Sequence, residues 1–113
     1  KMRKFIYKIC FLSEWLTFRK KNIFCGTKKD ISDGYIHFSN KNQIVPTLRK
    51  YFIKKNNLIL LKVDTTKLKK IIWEKSTNDK MFPHLYSCLS LKHVKSVFKI
   101  ISKKNGSYDF ELT

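Results

Sequence analysis

His37 and Ser39 stand two residues apart in the run DGYIHFSN, residues 33–40. Side chains alternate along a strand, so Ile36 and Phe38 share one face while Tyr35, His37 and Ser39 share the other. The two large apolar groups claim the core side, which leaves the imidazole and the hydroxyl toward solvent or a cleft. Asn40 and Gln43 follow at capping-box spacing and open a helix whose free N–H groups favour an anion or a phosphate. On that helix Gln43, Thr47 and Lys50 recur at i, i+4 and i+7, beside the apolar stripe of Ile44, Leu48, Tyr51 and Phe52. Gln43 and Thr47 are thereby directed toward the corner that holds His37 and Ser39. A bland alternative stays open: Ser39 and Gln43 serve as caps, and His37 is a surface imidazole.

Two later segments add candidates. In FPHLY (82–86), Phe82, His84 and Tyr86 share one side if the chain is extended, with Pro83 stiffening the entry. Glu74 alternates with Trp73. If the tryptophan packs inward, Glu74 faces the opposite side as the best candidate for a general base or a hydroxyl-binding carboxylate. An ion pair with one of the many lysines is the structural alternative. The catalytic candidates are therefore Glu74 and His37, and the ligand-binding set is His37, Ser39, Gln43, Thr47, His84 and Tyr86. The helix start suits a phosphate, Ser39 and His37 suit sugar hydroxyls, and Tyr86 suits a flat base, so the expected ligand is small and nucleotide-like. Replacing His37 by Ala is expected to weaken its binding and to spare the fold. His84, Cys88 and His93 are not spaced for a compact zinc site, and no glycine-rich phosphate loop is present.

The elements that must position these groups read as follows. KFIYKICF (4–11) is a strand, Ser13 caps a helix over EWLTFRKK, and CGTKKDISDG (25–34) is a loop. A strand at 35–39 leads into a helix reaching about Phe52, with a bend at Pro46. LILLKV (58–63) is a buried strand, Asp64 caps a helical turn over TTKLKK, and IIWEK (71–75) is another strand. Asn105-Gly106 between two alternating runs signals a hairpin. Helices early and strands late predict an α+β domain with a mostly antiparallel, split sheet and two to three short helices.

The chain of 113 residues is long enough for one domain with a modest core. It is read as spanning 2–113, with Lys1 an added residue ahead of Met2. The three cysteines are odd in number and lack C-x-x-C spacing, so a disulfide framework is not expected and a reducing cytoplasm fits. No apolar run approaches the roughly 18 residues of a membrane span, and Lys8 interrupts the apolar part of the start. The formal net charge is +17, carried by 22 lysines and three arginines, with no alanine in the chain. That composition is what an AT-rich genome writes. Arginine, which favours base readout and bidentate phosphate contacts, is the scarce residue. Nucleic-acid binding is therefore expected to be weak, non-specific and steeply salt-dependent. A non-catalytic module that binds RNA or another polyanion through the lysine surface is the alternative function.

Taken in order, IYKI, EW, DGYIHFS, LILLKVD, WE and FPHLY resemble the domain of unknown function 952 family from about residue 6 to about 98. The resemblance implies a small bacterial domain with a fold like that of the ADP-ribosyltransferases. In those enzymes a strand serine or threonine supports the ribose of NAD, an aromatic ring stacks on nicotinamide, and a glutamate holds a ribose hydroxyl. By that likeness Ser39 matches the strand serine, Glu74 the carboxylate, and Tyr86 or Tyr51 the stacking ring, with NAD as the implied cofactor and a nucleotide- or NAD-related transferase, or a degenerate relative that only binds such a ligand, as the expected function. The first strand departs from the pattern. The transferases carry a His or Arg there, where this chain has IYKI and Lys8.

Overall fold

The computed structural model describes residues 4–76 and 78–113. Lys1 and Met2, read as an added residue and the native start, lie outside the described residues. In chain order the elements are β1 (Phe5–Phe11), α1 (Leu12–Lys21), β2 (Ile23–Phe24), α2 (Lys28–Asp33) and β3 (Ile36–His37). A 3-10 turn at Lys41–Gln43 precedes α3 (Ile44–Tyr51), and then come β4 (Leu58–Asp64), β5 (Ile71–Lys75), β6 (Met81–Leu85) and β7 (Leu89–Ser90). A second 3-10 turn, Leu91–His93, leads to β8 (Val94–Ser102) and β9 (Tyr108–Leu112). The result is an α+β domain. Its strands form a four-stranded sheet in the order β1-β4-β8-β9, a three-stranded sheet β3-β6-β5 and a two-stranded ladder β2-β7. Every strand pairing among the described residues is antiparallel.

β4 is buried on both faces of the four-stranded sheet, which is why its sequence is a continuous apolar run. Ile59, Leu61 and Val63 join Ile6, Cys10, Phe18, Ile36, Phe38 and Leu85 in one core cluster. Leu58 and Leu60 join Ile9, Ile44, Leu48 and Ile100 in a second cluster, under α3. Period-two alternation on β1 sends Lys8 to the same side as Ile6 and Cys10, so this lysine enters the first core and is 5% exposed.

Several local expectations change. The segment 25–34 is not a plain loop: α2 runs through it, opened by a capping box in which Thr27 Oγ1 accepts from the Asp30 N–H and Asp30 Oδ2 accepts from the Thr27 N–H. TTKLKK forms a turn instead of a helix, with Asp64 Oδ1 accepting from the Thr66 N–H and hydroxyl. α1 starts one residue before Ser13, and Glu14 rather than Ser13 closes its cap by accepting from the Phe11 N–H. Pro46 breaks no hydrogen bond, because a 3-10 turn ends at Gln43 and the helix starts afresh at Ile44, which puts the proline in a first turn. The Asn105-Gly106 hairpin forms between β8 and β9, with Gly106 at φ 87°.

Cys25 and Cys88 form a disulfide, which corrects the expectation that the thiols stay reduced. The cause is the short ladder. β2 and β7 pair Ile23 with Ser90 and Phe24 with Leu89, so the next cross-strand position brings Cys25 opposite Cys88 at a Cα separation of 4.2 Å. Cys10 is a buried free thiol.

Candidate functional site

Pairing of β3, β6 and β5 decides which polar side chains meet. His37 is opposite His84, Ile72 is opposite His84 on the other side, and Glu74 is opposite Phe82. Alternation then places His37, His84 and Glu74 on one face of this sheet, while Ile36, Leu85 and Ile71 point into the first core cluster. Tyr35 and Tyr86, one residue beyond β3 and β6, extend the same face. Tyr35 stacks on His84 with ring centroids 4.0 Å apart and an interplanar angle of 24°. It also lies 4.7 Å from the His37 ring and 5.2 Å from the Tyr86 ring.

Carboxylates fix both imidazoles. His37 Nδ1 is 2.6 Å from Asp30 Oδ1, and its Nε2 is 3.0 Å from Asp33 Oδ2. Two bonds to acceptor-only oxygens are complete only when both ring nitrogens carry a hydrogen. Asp30 is itself 2% exposed and receives Lys8 Nζ at 2.9 Å, the Thr27 N–H at 2.9 Å and the His37 N–H at 3.1 Å. Burial raises the Asp30 pKa, but the bond from His37, the Lys8 charge and the Thr27 amide outweigh it and hold the carboxyl well below the usual range. The close fit extends to Gly26. At its φ of +119° a Cβ would stand 2.7 Å from Asp30 Cβ, so no larger residue fits there.

His84 is organised differently. Its Nδ1 is 2.6 Å from Glu74 Oε1, and the Tyr86 hydroxyl donates to the same oxygen at 2.6 Å. These bonds, Tyr86 first, lower the Glu74 pKa, while the Glu74 carboxylate pushes the Tyr86 phenol up to about 12. An ionised carboxylate only accepts, so the proton of a neutral His84 ring sits on Nδ1 and Nε2 presents its lone pair. Burial, followed by the charges of Asp33 and Glu74, also raises the Tyr35 phenol.

Of the residues expected from sequence, His37, His84, Tyr86 and Glu74 come together on this face. Glu74 is on that face although Trp73 does not pack into the core and stays exposed. Ser39, Gln43 and Thr47 make contacts outside this cluster. Ser39 is buried in a backbone bridge to Tyr7, with its Oγ 3.4 Å from Thr47 Oγ1. Gln43 closes the capping box with Asn40 and donates from Nε2 to the Met81 carbonyl at 2.8 Å. Tyr51 is exposed, with Lys50 Nζ 5.1 Å from its ring centre. The side left toward solvent or a cleft is an open sheet face. Cavities of 460 and 300 Å³ lie on the molecule, and neither is lined by the histidine cluster.

Asp30, Asp33 and Tyr35 were absent from the sequence candidates. Tyr35 was legible from its alternation with Ile36, and Asp30 from the Thr27-x-x-Asp30 cap spacing. Nothing local marked Lys8 as the partner of Asp30.

Residues 9–97 match the family described as protein of unknown function (DUF952). The chain belongs to this family. The DUF952 fold seen here is also that of protein CC0527 from Caulobacter crescentus. One CC0527 crystal structure is 33% identical, with 94% of each chain covered and a TM-score of 0.87. Its solution structure is 34% identical over 90% of this chain and 89% of that one, with a TM-score of 0.81. None of the curated proteins matches this DUF952 chain.

Proposed function

We propose that the Tyr35–His84–Tyr86–Glu74 face binds a small, flat-ringed, hydroxyl-bearing ligand of the nucleoside type, and that the protein is a nucleotide- or NAD-related transferase. One observation carries the reading: Glu74 Oε1 is shared by His84 and Tyr86, while Oε2 has no partner among the described residues on a side chain 38% exposed. An oriented carboxylate with one oxygen open suits a sugar hydroxyl, and the neighbouring tyrosines offer ring faces for a base. By likeness to the ADP-ribosyltransferases, Glu74 takes the place of the ribose-binding glutamate. Ser39, matched to the strand serine, is buried with its Oγ 3.4 Å from Thr47 Oγ1.

The test is calorimetric titration of wild type and Glu74→Gln with NAD, ADP-ribose and nucleoside phosphates. Binding weakened by about 1–3 kcal/mol in Glu74→Gln is expected, the range for one hydrogen bond to a charged group. No heat of binding with any of these compounds overturns the reading.

A further inference from the structure

The chain has three histidines, His37, His84 and His93. They differ in which nitrogens are engaged. Both nitrogens of His37 lie against carboxylate oxygens. His93 sits apart, on the 3-10 turn that precedes β8. His84 has Nδ1 bound to Glu74 and a side chain only 7% exposed. No buried side-chain nitrogen or oxygen among the described residues lacks a partner. Nε2 of His84 has no hydrogen-bond partner among the described residues, so it is not sealed from solvent. A ring held by Tyr35 on its flat side and by a carboxylate at Nδ1, with Nε2 open, is the arrangement of an oriented general base.

We propose that His84 Nε2 is the proton acceptor of this site, acting on the hydroxyl of water or of an alcohol that attacks the bound ligand. The inference takes its substrate from the ligand reading above and adds the group that moves the proton. The hydroxyl O–H bond breaks and its proton goes to the Nε2 lone pair. The oxygen's electron pair forms the new bond to the electrophilic carbon of the ligand, and the leaving group departs with the pair of the bond that breaks. The imidazolium that results is stabilised by the Glu74 carboxylate at Nδ1. In this step Glu74 is a positioning residue, because it acts through His84.

Diethyl pyrocarbonate tests the base without any ligand. An open imidazole nitrogen attacks its carbonyl carbon, ethyl carbonate leaves and breaks down to carbon dioxide and ethanol, and the Nδ1 proton is lost to solvent. Peptide mapping by mass spectrometry of the intact, folded protein then reads each histidine separately. His84 is expected to be modified while His37 stays unmodified. Glu74→Gln should slow His84 by about tenfold, the loss of one charge-assisted hydrogen bond, without changing the rate at His93. Because Glu74 lies on the edge strand β5 and is part-exposed, the variant's fold is checked by its thermal midpoint. A His84 that reacts no faster than His37, or at a rate indifferent to Glu74→Gln, overturns the proposal. Repeating the reaction with NAD or ADP-ribose separates the two readings. A reactive, Glu74-dependent His84 that neither compound protects sinks the ligand reading alone, whereas calorimetric binding with an inert His84 sinks the base alone.

Discussion

His37 and His84 form a cross-strand pair with ring centroids 5.5 Å apart, yet of the two only His84 keeps a nitrogen without a partner among the described residues. The asymmetry comes from their carboxylates. Asp30 and Asp33 enclose His37 from two positions of α2, whereas Glu74 reaches His84 from the neighbouring strand at Nδ1 alone. His37 thereby braces the face, and His84 keeps Nε2 outside that brace.

The brace depends on a buried ion pair. Removing one partner of such a pair leaves an uncompensated charge in the core and costs about 3–5 kcal/mol. Lys8→Met is expected to destabilise the protein by that amount in urea unfolding. The double variant Lys8→Met/Asp30→Leu should lose less than the sum of the two single variants. Simple additivity would show that the pair is not coupled.

Acid should expose the same carboxyl. The folded Asp30 pKa lies below its unfolded value of about 3.9, so the unfolded chain takes up the proton first as pH falls. Its contribution to stability is complete above about pH 4 and is lost below that, as pH falls toward the folded value. Unfolding free energies measured from pH 7 to pH 2 should therefore show a shallower acid limb in Asp30→Asn, although that variant starts from a lower stability. An unchanged limb would assign the acid sensitivity to other carboxylates.

Tyr86 is expected to ionise late. Its hydrogen bond to Glu74 pushes the phenol up to about 12, so Tyr86 should be among the tyrosines still protonated in an ultraviolet titration after an ordinary tyrosine has ionised. Glu74→Gln should bring that transition down. If Tyr86→Phe leaves the late transition in place, another tyrosine is responsible.

The bridge between Cys25 and Cys88 spans a sequence separation of 63 residues, for which loop-closure entropy gives a stabilisation of about 4 kcal/mol. Cys25→Ser/Cys88→Ser should lose much of that in a denaturant titration. Both bridge cysteines lie on exposed residues, so a dithiol should open the bridge in the folded state. Alkylation at pH 8 should then label these two and spare Cys10, whose thiol burial pushes up to about 12. Labelling of all three at equal rates would mean that reduction unfolds the core.

Much of this face was legible because strand alternation is a local signal. Ile36 and Phe38 point inward, so Tyr35 and His37 must point outward, and the same holds for His84 and Tyr86 around Leu85. The Asn40–Gln43 cap was equally plain from its spacing. Its second contact was not, since Gln43 also donates to the Met81 carbonyl across the fold. The misses are long-range. Lys8 meets Asp30 and Cys25 meets Cys88 only after the sheets have formed, and no short motif encodes either meeting. In TTKLKK the Asp64–Thr66 hydrogen bonds close a turn that competes with the helix its residues would otherwise favour.

The ion pair between Lys8 and Asp30 also restricts how this protein can diverge. A mutation at either position alone strands a charge beside Ile6 and Cys10, so a lineage that drifts one step at a time passes through a poorly folded ancestor. Gly26 shares that constraint, because its α-carbon has no room for a side chain while Asp30 occupies the adjoining space. The three positions therefore form one heritable unit across β1 and the start of α2. Exposed lysines elsewhere carry no such constraint, whereas descendants should inherit this trio whole or abandon it whole.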